Sequence, residues 1–180
     1  MRLLKHAVTS LLIALPLSAA AQEQDLSDLY AALREAGPEE AQQIERKIWE
    51  EWSRSGSPSM DLLLQRGQEA LEAGDAGRAI EHFSALIDHA PGFAEGYNAR
   101  ATAYYAADRY GQSLDDLRMA LALNPNHFGA MTGLALILTE IGRDQDALEV
   151  WRRVREMNPQ QDGLDSRIEM LEREVEGRTL

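Results

Sequence analysis

The sequence predicts an all-α protein made of stacked helix pairs, and three observations carry that expectation. Pro91, Pro125 and Pro159 fall 34 residues apart, a spacing that marks a repeat array rather than one closed fold. Counted back from each proline, a small residue recurs at minus 24 (Gly67, Ala101, Ala135) and at minus 12 (Ala79, Ser113, Ala147). Bulky apolar residues recur at minus 28 (Leu63, Tyr97, Met131), minus 11 (Ile80, Leu114, Leu148) and minus 8 (Phe83, Leu117, Trp151), and in two units of three at minus 21 (Ala70, Tyr104, Leu138). Small residues let two helices approach closely, while the bulky ones fill the space between neighbouring pairs.

The first 21 residues read as an address and not as part of the fold. Arg2 and Lys5 give a positive start, Ala7 to Leu17 is mostly apolar, and Ala19-Ala20-Ala21 offers small residues for cleavage before Gln22. A membrane span takes roughly 20 apolar residues, and this stretch is shorter and interrupted by Thr9, Ser10 and Pro16. With no cysteine in the chain, lipid attachment at a cleaved N-terminus is excluded and stability cannot depend on disulfides. The expectation is an exported protein, periplasmic, with no stable membrane insertion once the leader is removed.

Residues 22–59 are expected to form an N-terminal helical pair and a linker. Leu26, Leu29, Tyr30 and Leu33 share one helical face, and Gly37-Pro38 ends that helix and opens another bearing Ile44, Ile48, Trp49 and Trp52. At that spacing the tryptophans are expected to pack on a neighbouring helix rather than to stand free as binding aromatics, and the pair is expected to cap the N-terminal end. The polar run Ser53 to Ser59 is the joint to the repeats.

The repeats occupy residues 60–161 in three units, 60–93, 94–127 and 128–161. The middle unit, GYNARATAYYAADRYGQSLDDLRMALALNP, carries the pattern most fully, and it resembles the tetratricopeptide repeat. That resemblance implies a right-handed superhelix of three antiparallel helix pairs. A turn such as Ala73-Gly74-Asp75 separates the helices of a pair. Asp108 stands where the other units have Gly74 and Gly142, and Leu86 and Val154 stand where the middle unit has the smaller Ala120. Residues 162–180 are expected to supply a capping helix near Leu164 to Glu176, with Leu164, Ile168, Leu171 and Val175 on one face and Gly177 as its stop.

Arg66 and Arg100 occupy a slot that is apolar Leu134 in the third unit. The facing position on the second helix of the middle unit is Asp116, so a structural Arg100–Asp116 ion pair is expected; Arg66, opposite His82, needs another acceptor, such as Asp116 or a carbonyl.

No catalytic constellation is present: the histidines after the leader lack zinc-ligand spacing, and there is no nucleophile elbow, S-x-x-K or phosphate loop. Asp115 and Asp116, being adjacent on a helix, point apart. The chain is therefore read as non-enzymatic, with no cofactor and no metal. Without Arg2 and Lys5 it holds 16 basic against 30 acidic residues, a net charge of −14, which disfavours nucleic acid and anionic lipid as partners.

The resemblance implies that the first helix of each unit lines a concave groove for a peptide or helix. By position, the first unit presents Asp61, Leu64, Gln65, Gln68 and Glu72. The second presents Glu95, Asn98, Thr102 and Tyr105, and the third Gly129, Thr132, Gly133, Leu136 and Glu140. Members that clamp the C-terminal carboxylates of chaperones present lysines and arginines there; these positions hold none, so a neutral or basic segment is the expected ligand. Gly129 and Gly133 leave two readings open, a shallow seat for a ligand or space taken by a neighbouring helix. The expected role is a scaffold that binds protein partners, or a chaperone-like carrier of exported polypeptides during envelope or cytochrome assembly.

Overall fold

Residues 17–178 are described in the computed structural model, with side chains from Asp25 to Gly177; residues 1–16, most of the expected leader, lie outside them. Among the described residues the chain forms α1 (Leu17–Glu35), α2 (Pro38–Trp52), α3 (Pro58–Glu72), α4 (Ala76–His89), α5 (Ala94–Ala106), α6 (Tyr110–Leu123), α7 (Phe128–Glu140), α8 (Asp144–Met157) and α9 (Leu164–Arg178). Helix α1 begins inside the expected leader, so Leu17–Ala21 run on into it. Helix α3 opens at Pro58, within the expected joint, because proline fits the first helical position, where its missing N–H is not needed.

The three pairs α3–α4, α5–α6 and α7–α8 pack in sequence, and the repeated residues explain how. Gly67 has no room for a side chain: a Cβ there would lie 2.2 Å from the Phe83 ring. In the middle unit Ser113 is buried against α5 and its hydroxyl donates to the Ala101 carbonyl at 2.7 Å. Leu86, Ala120 and Val154 are all fully buried, so the helix spacing absorbs their difference in size.

The turns within the pairs are alike in hydrogen bonding. The N–H groups of Asp75, Arg109 and Arg143 donate to the carbonyls of Ala70, Tyr104 and Leu138, each at 2.8 Å. The preceding residue closes a second bond in each case, Gly74 to Leu71, Asp108 to Tyr105 and Gly142 to Thr139. This double closure satisfies carbonyls at the helix end and needs one left-handed residue. Gly74 and Gly142 adopt φ of 76° and 73°, and Asp108 takes the same role at 56°.

Stacking between units is legible in which residues are buried. Gly96, Ala130 and Leu164 occupy one slot, and Ala103, Ile137 and Leu171 another; all six are buried against the preceding pair. Their first-unit equivalents, Leu62 and Glu69, are exposed. The N-terminal end of the array is therefore open, and the expected cap is not there. Helix α9 keeps the register of a first helix, 34 residues beyond α7, with Leu164, Ile168 and Leu171 buried on α8. Gly177, expected to stop α9, lies inside its last turn.

The hairpin α1–α2 instead folds back over the middle and third units. Leu33, Ala41, Ile44, Ile48 and Trp52 bury together with Phe128, with Met157 packed against them. The tryptophans do pack, as their spacing required, on the Asn124–Phe128 segment rather than on α3 and α4. Trp52 stacks on His127 with ring centroids 4.0 Å apart, and its Nε1–H donates to the Tyr30 hydroxyl at 2.9 Å. Glu45 accepts a hydrogen bond from the Asn158 side-chain amide at the end of α8. A flat, two-sided aromatic face on α2 finds more apolar area at this junction than the mostly polar outer face of α3, with Gln65, Arg66 and Glu69, could supply.

Candidate functional site

Helices α3, α5 and α7 stand side by side, and the residues expected to line their common face fall into rows. The upper rows lie near the helix N-termini and are engaged by the chain itself. Asp61 accepts from the Ser55 backbone N–H at 2.9 Å and from its hydroxyl at 2.6 Å. Leu64 is buried in the core between the first two units. Glu95 and Asn98 are buried: the Asn98 amide donates to Glu95 at 3.1 Å, and the same carboxylate oxygen lies 2.9 Å from Nε2 of His127. Thr132 shares hydrogen bonds with Gln161 at 3.2 and 3.3 Å.

His127, one of the histidines without zinc-ligand spacing, is fully buried. Its Nδ1 accepts from the Ala130 N–H at 3.1 Å, capping α7. With Nδ1 as acceptor, Nε2 carries the proton and donates it to Glu95, a neutral tautomer that satisfies both ring nitrogens. No sequence signal joins two residues 32 apart in adjacent units.

The two glycines resolve toward packing. A Cβ on Gly129 would sit 2.5 and 2.8 Å from the Trp49 ring, and one on Gly133 would meet Leu117 of α6 at 3.3 Å. Gly133 and its first-unit equivalent Gln65 thus belong to the face between units and not to the groove; Gln65 hydrogen-bonds Glu69 on that same face. Gly129→Ala is expected to destabilise the protein by about 1–3 kcal/mol through overpacking, and Trp49→Leu in the same chain should restore much of the loss. Urea unfolding checks both variants; an unchanged midpoint for Gly129→Ala would remove Trp49 from that place.

The lower rows are open. Gln68 and Thr102 are exposed, Leu136 and Tyr105 are half-buried, and Glu72 and Glu140 are exposed at the rim. Tyr105 meets Tyr110, the first residue of α6, with ring centroids 5.4 Å apart. Partial burial, and then the Asp108 and Glu140 carboxylates, push the Tyr110 hydroxyl pKa up. What remains of the expected lining is therefore a strip along the lower rows, polar and apolar by turns, with acids along one edge.

The structural ion pair lies behind this face. Arg100 binds Asp116 through two hydrogen bonds, Nε at 2.7 Å and an Nη at 2.8 Å, and reaches Ser84 of the preceding unit at 3.1 Å. Hydrogen bonding to Asp116 raises the Arg100 pKa above the ordinary guanidinium value. With Asp116 taken, Arg66 is exposed and solvated. Among the described residues no group of three or more His, Asp or Glu side chains could hold a metal ion. None of the described helices is long and apolar enough to cross a membrane.

The tetratricopeptide repeat family profile matches residues 64–127 and 98–162. The chain belongs to the tetratricopeptide repeat family. A tetratricopeptide repeat-containing protein of Rhizobium etli is 33% identical over 156 residues, covering 86% of this chain and 76% of that protein. Among solved structures, the Sgt2 tetratricopeptide repeat domain from Aspergillus fumigatus aligns with a TM-score of 0.64 at 22% identity, covering 68% of this chain and 83% of that one. The first such domain of Spaghetti (RPAP3), bound to the HSP90 peptide SRMEEVD, aligns at 0.62 and 19% identity over 64% of this chain and 92% of its own. MamA protein aligns at 0.59 and 21% identity over 84% of this chain and 81% of its own. At these identities the solved structures speak for the shared tetratricopeptide repeat fold alone.

Proposed function

We propose that this chain is an exported, non-enzymatic scaffold that binds a neutral or basic segment of a partner protein along the open strip of α3, α5 and α7. One observation carries the reading: the accessible rows pair Gln68, Thr102 and Leu136 with a rim of Glu72 and Glu140 and contain no lysine or arginine. The peptide held by the Spaghetti domain, SRMEEVD, is rich in acids. An acidic rim repels such a tail and favours the opposite charge. The leader-like start supports a periplasmic location.

A photo-crosslinking residue at Thr102 or Gln68 in the full chain tests the site. Capture of a discrete partner from these positions, and not from Met119 on the outer face of α6, is the expected result. Equal capture from both faces would overturn the groove reading. Fractionation of the producing cells should place the protein in the exported soluble fraction, shortened by its leader.

A further inference from the structure

The tyrosines of the middle unit divide into two sets. Tyr97 and Tyr104 already face guanidinium groups of their own chain: Arg100 lies 5.9 and 5.7 Å from their centroids, and Arg109 lies 4.6 Å from that of Tyr104. Among the described residues no such contact falls on Tyr105 or Tyr110. Their rings tilt toward each other by 31° at the lower end of the open strip. Asp108 lies between them in the α5–α6 turn, and the Glu140 charge reaches the same place from the end of α7.

We infer that Tyr105 and Tyr110, with Asp108 and Glu140, form a seat for a lysine or arginine side chain of the bound partner segment. The inference rests on the groove reading and gives it a chemical address. A cation within about 6 Å of a tyrosine face is held by the ring quadrupole, and two carboxylates at the edge add charge complementarity. A leucine or similar side chain of the same segment then meets Leu136, the half-buried apolar member of the exposed rows. The two other units carry glycine, Gly74 and Gly142, at the left-handed position that Asp108 fills here, and glycine adopts that conformation at lower cost than aspartate.

Asp108→Gly removes the carboxylate while relieving the backbone, so lost binding cannot be ascribed to lost folding. The probe is a fluorescent peptide of alternating lysine and leucine, measured by anisotropy against the full chain, with the same peptide bearing glutamate for lysine as comparison. The lysine peptide should bind and the glutamate peptide should not. Asp108→Gly, and separately Tyr105→Leu with Tyr110→Leu, should each weaken binding about three- to tenfold. The Asp108→Gly protein should melt at the same temperature as the parent or higher. Binding should also weaken with added salt. If Leu136→Ser abolishes binding but Asp108→Gly and the tyrosine variant leave it unchanged, the seat is wrong and the groove stands. If the lysine peptide does not bind at all, both fail.

Discussion

Replacing Trp52 by alanine is expected to cost about 3–5 kcal/mol of folding stability, the range for removing a buried large aromatic. Trp52 is 6% exposed, and four groups converge on it: the His127 ring at 4.0 Å, Phe128 at 4.8 Å, Trp49 at 5.1 Å and the Tyr30 hydroxyl. Its loss also opens the buried Glu95–His127 hydrogen bond to water, since that ring is what Trp52 covers. Trp52→Phe keeps most of the stacking and loses the indole N–H bond, so it should cost only about 1–2 kcal/mol. Urea unfolding followed by circular dichroism checks both variants. A Trp52→Ala protein within about 1 kcal/mol of the parent would mean that the hairpin does not dock in solution, because an undocked helix loses little when its apolar face is trimmed.

Asp116→Ala should destabilise the protein by about 3 kcal/mol, the lower end of the range for breaking a largely buried pair. Asp116 is 8% exposed but Arg100 is 19% exposed, so the orphaned guanidinium can still reach solvent and keep its bond to Ser84. Arg100→Met combined with Asp116→Leu tests the cause. Replacing both charges with apolar groups of similar bulk should recover most of the stability, whereas two independent packing defects would add their losses. Thermal unfolding of the two singles and the double closes the cycle.

Much of the array was legible because each unit repeats the same local problem. The 34-residue spacing fixed where helices pair, and the proline and turn residues set the boundaries to within a few positions. The Arg100–Asp116 pair was legible for the same reason, since both partners lie within one unit. The docking of α1–α2 was not. Periodicity tells that Ile44, Ile48, Trp49 and Trp52 share an apolar face, but a face carries no mark of which surface it will cover. The groove was read too generously in extent. Asp61, Glu95, Asn98 and Thr132 have the right polarity for a ligand surface, and their occupation by Ser55, His127 and Gln161 depends on contacts between segments that no repeat unit encodes.

The bond from Glu45 to Asn158 spans 113 residues. In an ordinary solenoid each module touches only its neighbours, so modules can be added, lost or frayed singly. Here a strut runs from the joint before the first module to the end of the third, with its length set by α2. Inserting or deleting a module would misplace Trp52 or Glu45 from its socket. The chain has thereby exchanged the extensibility of a linear array for a fixed span, and it should unfold as one cooperative body instead of unzipping from its ends.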